Sequence, residues 1–381
     1  MNKRLLFIVS DFHHGGAERQ MYEIDLAIDK EILDFDILCL SDLNASKSFP
    51  DYFYRRHLDN GTNILFLNDV LDLKRGRLAK AFEKSGLSFK VQKNKKRFLE
   101  LIEEYSSICF MGEYVYKTLS RFIPQDHFDR IIIFIMSARF QGEKYRDFDK
   151  NLKYTFVSGF DDTTQIDFEF EGFKDYKHIS LPLSFKVEES YRQWNFSKDK
   201  TKKKIGIFTR LNKAKPLDPF FYAYQLLLDE LPDVELHIFG AGDYKVAGYD
   251  RYLNHLDIKD KVYFRGHQEN IKETINKDNI DVIWFQGYKH RPAGYAGLDA
   301  CLTGVPILFW DFYIGHNPEI NSIESVFPHF KNLKFFVNST IDVLTTEELA
   351  NSISSKQFDH VVENNNMRVN IKKLNRLLLE E

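Results

Sequence analysis

Short apolar runs recur along the chain, each followed by a polar or glycine-bearing loop and then by a helix-length amphipathic segment. Arg4 to Ser10 (RLLFIVS) begins the series. Phe35 to Leu40, Asn63 to Leu67, Ser107 to Met111 and Asp129 to Met136 continue it, and His178 to Phe185 (HISLPLSF) closes it. This alternation predicts a parallel sheet wrapped by helices. A charged joining stretch, VEESYRQWNFSKDKTKKK, interrupts the pattern. It restarts at Lys204 (KIGIFTR) and runs through Val234 to Phe239, VYFRG at 262–266, Asp281 to Phe285 and Val305 to Trp310. The two halves predict an α/β architecture of two doubly wound domains, residues 1–185 and 204–355, facing each other across a cleft where a nucleotide-sized ligand is expected. A helix-like segment, Lys356 to Leu379, ends the series.

In such sheets ligands bind beyond the carboxyl ends of the strands, so polar residues just past an apolar run are the candidates for chemistry. The basic, glycine-bearing loop between Phe285 and the helical stretch ending at Gly304 is the first of these. At the other end of the chain, Gly15 and Gly16 sit where the first helix starts. Their amides can approach an anion without side-chain obstruction, although a structural strand-to-helix corner explains them equally well. Glu113, Ser137 and Arg139 follow strand ends in the first half, where surface ion pairs are the competing explanation. A G-x-G-x-x-G fingerprint, a P-loop, zinc spacing and a Ser-His-Asp set are all missing from the sequence.

Composition narrows the class. A length of 381 residues favours two domains, and 43% hydrophobic and 29% charged residues with a net charge of -3 describe an ordinary soluble protein with no global pull toward nucleic acid. The 35 Phe and 19 Tyr are expected in the core. Cys39, Cys109 and Cys301 lie far apart in apolar or helical stretches, which suggests reduced, buried thiols and a cytoplasmic setting. The apolar run near the start is too short for a signal peptide, and no stretch approaches the length of a membrane span. One segment departs from the average: residues 74–97 carry ten basic residues against one acid, Glu83, with apolar residues interleaved. That composition suits a helix lying on an anionic membrane or acceptor, and equally a solvated helix face; no second basic stripe supports nucleic acid.

Five stretches taken in order, GGAER at 15–19, FTRLNKAK at 208–215, HIFGAGD at 237–243, VYFRGH at 262–267 and AGYAGLDACLTGVPIL at 293–308, resemble the motif set of retaining GT-B glycosyltransferases of family 4, the glycosyl transferases group 1. The resemblance spans both halves of the chain. It implies two Rossmann-like domains, the nucleotide sugar held mostly by the C-terminal one and the acceptor mostly by the N-terminal one, with the last helix (residues 356–381) packing back on the N-terminal domain. It further implies transfer from a UDP- or GDP-sugar with retained anomeric configuration, without a required metal or other cofactor. Arg210 and Lys215 match the cations that grip the donor diphosphate, a leaving group whose developing charge needs fixed positive charge. Gly15 and Gly16 match the loop whose amides approach that diphosphate from the other domain. Gly240 matches a glycine beside the nucleotide, and His267 a position of backbone contacts to the base. Gly294, Tyr295 and Ala296 match the helix start that meets phosphate and sugar, and Asp299 matches the second acid of an E-x7-E motif, which accepts from the ribose hydroxyls. His14, Glu113 and Arg139 are the acceptor-side candidates.

The first acid of that motif is replaced. Eight positions before Asp299 stands Arg291, beside Lys289 and His290. A basic residue there points to a donor or acceptor with extra negative charge; a different sugar pose, or retained binding with lost catalysis, would also account for it. The expectation is a transferase that extends a cell-surface glycan or a lipid-linked acceptor from the inner face of the membrane. The competing expectations are an inactive, nucleotide-sugar-binding partner subunit and a nucleotide-sugar epimerase of the same fold.

Overall fold

The computed structural model describes residues 3–43, 49–71, 89–136, 144–159, 163–186, 191–198, 200–211, 216–286, 294–311 and 321–379. The chain divides into two compact units, Met1–Lys186 with Asn366–Glu381, and Val187–Asn365.

In the first unit, strands β1 (Lys3–Val9), β2 (Leu33–Cys39), β3 (Asn63–Phe66), β4 (Ser107–Met111), β5 (Ile131–Phe134), β6 (Lys153–Ser158) and β7 (Asp175–Ser180) form one sheet in the order β3-β2-β1-β4-β5-β6-β7. Every pairing is parallel. Helices α1 (Gly16–Ala27), α2 (Tyr52–Asp59), α3 (Leu67–Val70), α4 (Phe89–Ile102), α5 (Glu113–Leu119) and α6 (Thr163–Glu169) lie along the connections. Strand β1 feeds both faces: Leu6 and Ile8 join a core with Phe98, Phe110 and Phe156, while Leu5, Phe7 and Val9 join another with Met21, Ile24 and Phe53. Burial on both faces is why such strands read as continuous apolar runs. Many of the abundant aromatics are core, as expected, although Phe168 and Phe335 are exposed; Phe156 stacks on Phe170 at 4.4 Å within a cluster that includes Tyr145, Phe148 and Phe173.

In the second unit, β8 (Lys204–Phe208), β9 (Glu235–Phe239), β10 (Val262–Gly266), β11 (Val282–Gln286), β12 (Ile307–Trp310), β13 (Asn321–Ser322) and β14 (His329–Phe330) take the order β10-β9-β8-β11-β12-β14-β13. Only β13 runs antiparallel to its neighbour. The helices are α7 (Asp218–Glu230), α8 (Asp250–His255), α9 (Ile271–Asp278), α10 (Gly294–Leu302), α11 (Leu333–Thr345) and α12 (Glu347–Asn364). A last helix, α13 (Met367–Leu379), returns to the first unit. Its Met367, Ile371, Leu374 and Leu378 enter the core that holds Leu5 and Phe7. Met367 N donates to Phe185 O at 3.0 Å, and Asn370 Nδ2 donates to Ser184 Oγ at 2.8 Å.

Three details differ from the sequence expectation. The segment 356–379 is not one helix but the end of α12 and α13, broken at Asn365 and Asn366, and of the two only α13 belongs to the first unit. Strand β6 went unseen because Lys153, Thr155 and Ser158 dilute its apolar run. Strand β7 begins at Asp175, three residues before the predicted run: it is an edge strand and no residue of it is fully buried.

A polar network ties α1 to α2 and to the start of β3. The Asp25 carboxylate, 1% exposed, accepts from Thr62 Oγ1 at 2.8 Å and Asn60 Nδ2 at 2.7 Å, and pairs with His57 Nδ1 at 2.5 Å and Lys30 Nζ at 2.8 Å. Burial alone would raise its pKa, but the hydrogen bonds from His57, Lys30 and Thr62 win and hold it below the ordinary carboxylate value. A pKa lower in the folded than in the unfolded chain contributes stability above the unfolded value of about 4 that is lost as pH falls through the folded value. Asp25→Ala is expected to cost about 3 kcal/mol at pH 7, because it strands buried donors, and the gap to the parent should shrink on acidification below about pH 4. Urea melts of both proteins across pH 3 to 8 check this; a pH-independent gap contradicts it.

Candidate functional site

Strand order locates the two places where function is expected. The winding direction reverses between β1 and β4 in the first sheet and between β8 and β11 in the second. Loops leaving the carboxyl ends of those strands diverge and leave a crevice.

At the second sheet, three exits are laced by backbone hydrogen bonds. Thr209 N donates to Phe239 O at 2.9 Å, Leu211 N to Ala241 O at 2.8 Å and Gly240 N to Gly266 O at 2.8 Å. The loop carrying Arg210 therefore lies directly on the β9 exit. This approach requires glycine: a Cβ at Gly240 would overlap the Thr209 carbonyl oxygen, and one at Gly242, whose φ is +122°, would lie 2.6 Å from the Leu211 carbonyl oxygen. Arg210 is exposed and has no ion-pair partner among the described residues, and half-buried His267 follows the end of β10.

On the other side of the reversal, α10 opens at Gly294, whose φ of +57° sets the helix start and whose Cβ position meets none of the described residues within 4 Å. Tyr295 is 5% exposed, Ala296 is half-buried, and Asp299 is 6% exposed on the buried face of α10. Lys215, Arg291 and the Lys289–His290 pair lie outside the described residues. Arg210, Gly240, His267 and Gly294 thus share the carboxyl edge of one sheet.

At the first sheet, β1 runs into Ser10 to Gly15. Phe12, 1% exposed, anchors this loop against Tyr54 and His57, with ring centroids 5.7 and 5.6 Å away. Asp11 accepts from Ser10 Oγ at 3.0 Å and from His13 N at 3.2 Å, and its Oδ1 also contacts His13 Nδ1. His13 Nδ1 lies 3.5 Å from Glu18 Oε1. The carboxylate of Glu18, 7% exposed, folds back over Gly15, so that a Cβ there would strike it and, at 2.8 Å, His13 Nε2. Gly15 caps α1 and Gly16 begins it, so this carboxylate lies where the helix favours negative charge.

Asp11, His13 and Glu18 bring three ligand-type atoms within 4.8 Å of one another. Such a set can hold a proton between two acids or coordinate a cation. None of the three was singled out in the sequence, although an acid, a histidine and a second acid flanking a glycine helix start was a readable signal.

Of the acceptor-side candidates, Glu113 is 3% exposed and its Oε2 accepts from Met136 N at 3.2 Å, tying the β4 exit to the β5 exit. His14 packs on Tyr52 with ring centroids 4.0 Å apart. Arg139 and Ser137 lie outside the described residues.

No family model matches the chain. Among solved structures, Anabaena HepE in complex with UDP and glucose aligns with a TM-score of 0.72 at 13% identity over 100% of both chains. TarM of S. aureus, in complex with Fondaparinux, alpha-GlcNAc-glycerol and UDP, aligns at 0.70 and 11% identity over 99% of this chain and 100% of its own. Sucrose-phosphate synthase from Thermosynechococcus elongatus aligns at 0.66 and 14% over 99% and 98%. A curated sequence, the poly(glycerol-phosphate) alpha-glucosyltransferase of Bacillus subtilis, is 25% identical over 116 residues, which is 30% of this chain and 16% of that protein. At these identities the likeness establishes the fold, and the fold is that of the GT-B glycosyltransferases.

Gly240→Ala is expected to cost 1 to 3 kcal/mol, about the range for forced overpacking, by pushing the Thr209–Leu211 segment off the β9 exit. Gly61→Ala, a glycine of positive φ with open space at its Cβ, is the control for backbone strain alone. Denaturant midpoints of the two variants check it, the first falling further than the second.

Proposed function

We propose that the protein is a retaining glycosyltransferase that moves a sugar from a UDP-sugar to a glycan or lipid-linked acceptor in cell-surface polysaccharide synthesis. The likeness over the full chain to HepE and TarM, both solved with UDP, carries this reading. The gathering of Arg210, Gly240, His267 and Gly294 at one strand edge agrees with it.

Chemically, departure of a nucleoside diphosphate concentrates negative charge on the leaving phosphate. Arg210, with Lys215, would supply the cations, and the Gly294 end of α10 would supply amides aimed at the same charge. Asp299 would hold the ribose, and Arg291 an anionic group on donor or acceptor. The alpha-GlcNAc-glycerol bound by TarM and the poly(glycerol-phosphate) substrate of the Bacillus relative support a polyol or polyol-phosphate acceptor, the latter anionic.

A thermal-shift screen of UDP- and GDP-sugars, followed by turnover on polyol-phosphate acceptors, tests the proposal. UDP-sugars are expected to stabilise the chain, EDTA to leave turnover intact, and Arg210→Ala to lower kcat by about 10²- to 10³-fold, the loss seen for one oxyanion donor. Binding without turnover would instead identify a non-catalytic partner subunit, and donor isomerisation without acceptor an epimerase.

Helix α4 extends the proposal to the membrane. Lys93, Lys95, Lys96 and Arg97 are all exposed on it, and among the described residues no helix is long and apolar enough to cross a bilayer. At about 1 kcal/mol per cation near an anionic surface, these four would give reversible attachment. Flotation with phosphatidylglycerol vesicles should carry the parent chain and not a variant with all four changed to Gln; an unbound parent rules the attachment out.

A further inference from the structure

A cavity of about 320 Å³ opens at the opposite edge of the second sheet from Arg210. Its walls come from the segment leading into β8 (Phe196, Lys198, Lys200, Lys203), the turn between α7 and β9 (Leu231 to Val234), and the end of α11 (Leu344, Thr345). Because β8 and β9 are parallel, both enter the sheet here, so the cavity lies a full strand length from the exits that carry the donor-site candidates. A volume at the low end of the range for ligand pockets is too small for a nucleotide sugar.

The apolar side chains Phe196, Leu231, Val234 and Leu344 share this lining with three lysines and one acid, Asp233. Lys200 is already committed, donating to Asp281 Oδ2 and Asn279 O, both at 2.6 Å. Lys198 is exposed and has no partner among the described residues. Lys203 donates to Ser197 O, and its ammonium lies 4.4 Å from the centre of the Phe196 ring. Burial, and then the neighbouring Lys200 charge, lower its pKa against the pull of Asp281. The C-terminal ends of α7 and α11 flank the cavity and offset part of the lysine charge, each with about half an elementary charge at most. Asp233 shares the lining and Asp281 acts on Lys203 from a distance, but among the described residues neither Lys198 nor Lys203 forms an ion pair, so an anion entering this apolar recess would offset the cost of placing their charge there.

We propose that this cavity binds a small amphipathic anion, a carboxylate or phosphate carried on an apolar body, at a site separate from the donor site. The apolar wall takes the body and Lys198 and Lys203 take the head. Lysine, a point charge without a fixed fork, does not discriminate sharply between the two head groups. The inference does not depend on the transferase activity.

Isothermal titration of the whole chain with octanoate and octyl phosphate tests it, with octanol and inorganic phosphate as the halves of the ligand. Both amphiphiles are expected to bind saturably, neither half to match them, and UDP not to displace them. Lys203→Met, which keeps the apolar stem, should weaken binding at least about tenfold. Lys198→Gln, at an exposed position with little risk to folding, should weaken it in the same direction. Absence of saturable binding, octanol binding as tightly as octanoate, displacement by UDP, or unchanged affinity in both variants overturns the proposal.

Discussion

Parallel strand pairing is the constraint on which the rest of this molecule depends. A parallel sheet needs helical crossovers on both faces, which bury most strand residues, and the polar ones that remain inside, such as Asp36 in β2 and His237 in β9, are tied up by neighbouring side chains. Chemistry is therefore confined to strand ends. In each unit the reversal of winding opens one crevice, and the candidate residues crowd around it: Gly15 and Glu113 in the first, Arg210 and Gly294 in the second.

This also explains what could be read in the sequence. Buried central strands such as Ile131–Phe134 and Val282–Gln286 are nearly continuous apolar runs and were legible, and so were the glycine-bearing exits, because close backbone approach leaves a compositional mark. Strand β6 was not, and β7 only from His178 onward, since toward the sheet edge solvent replaces one face and polar residues enter the run. The break between α12 and α13 was hidden because both helices carry apolar faces, and Asn365 and Asn366 are weak punctuation beside glycine or proline.

The sites were legible to a different degree. The family resemblance pointed to Gly240, and the structure supplies a reason for glycine at that position, a carbonyl oxygen where a side chain would be. Glu113 stands past its strand end as expected, and one of its oxygens accepts from the Met136 amide, a long-range contact with no local signature. The reverse holds for Asp11, His13 and Glu18. Each is unremarkable alone, and only the turn through Gly15 brings them together. Two buried carboxylates near one imidazole at a helix start make the local charge sensitive to anything negative that approaches the same amides.

The return of α13 to the first unit has a consequence for biosynthesis. Residues 187–365 form one uninterrupted unit, so on the ribosome it can complete its core before the rest of the chain is made. The first unit cannot. Leu5 and Phe7 are made before residues 187–365, yet Ile371, Leu374 and Leu378, which share their core, are made after them. The sheet of the first unit therefore keeps one apolar face incomplete until α13 has been made, a non-local closure that the second unit does not need.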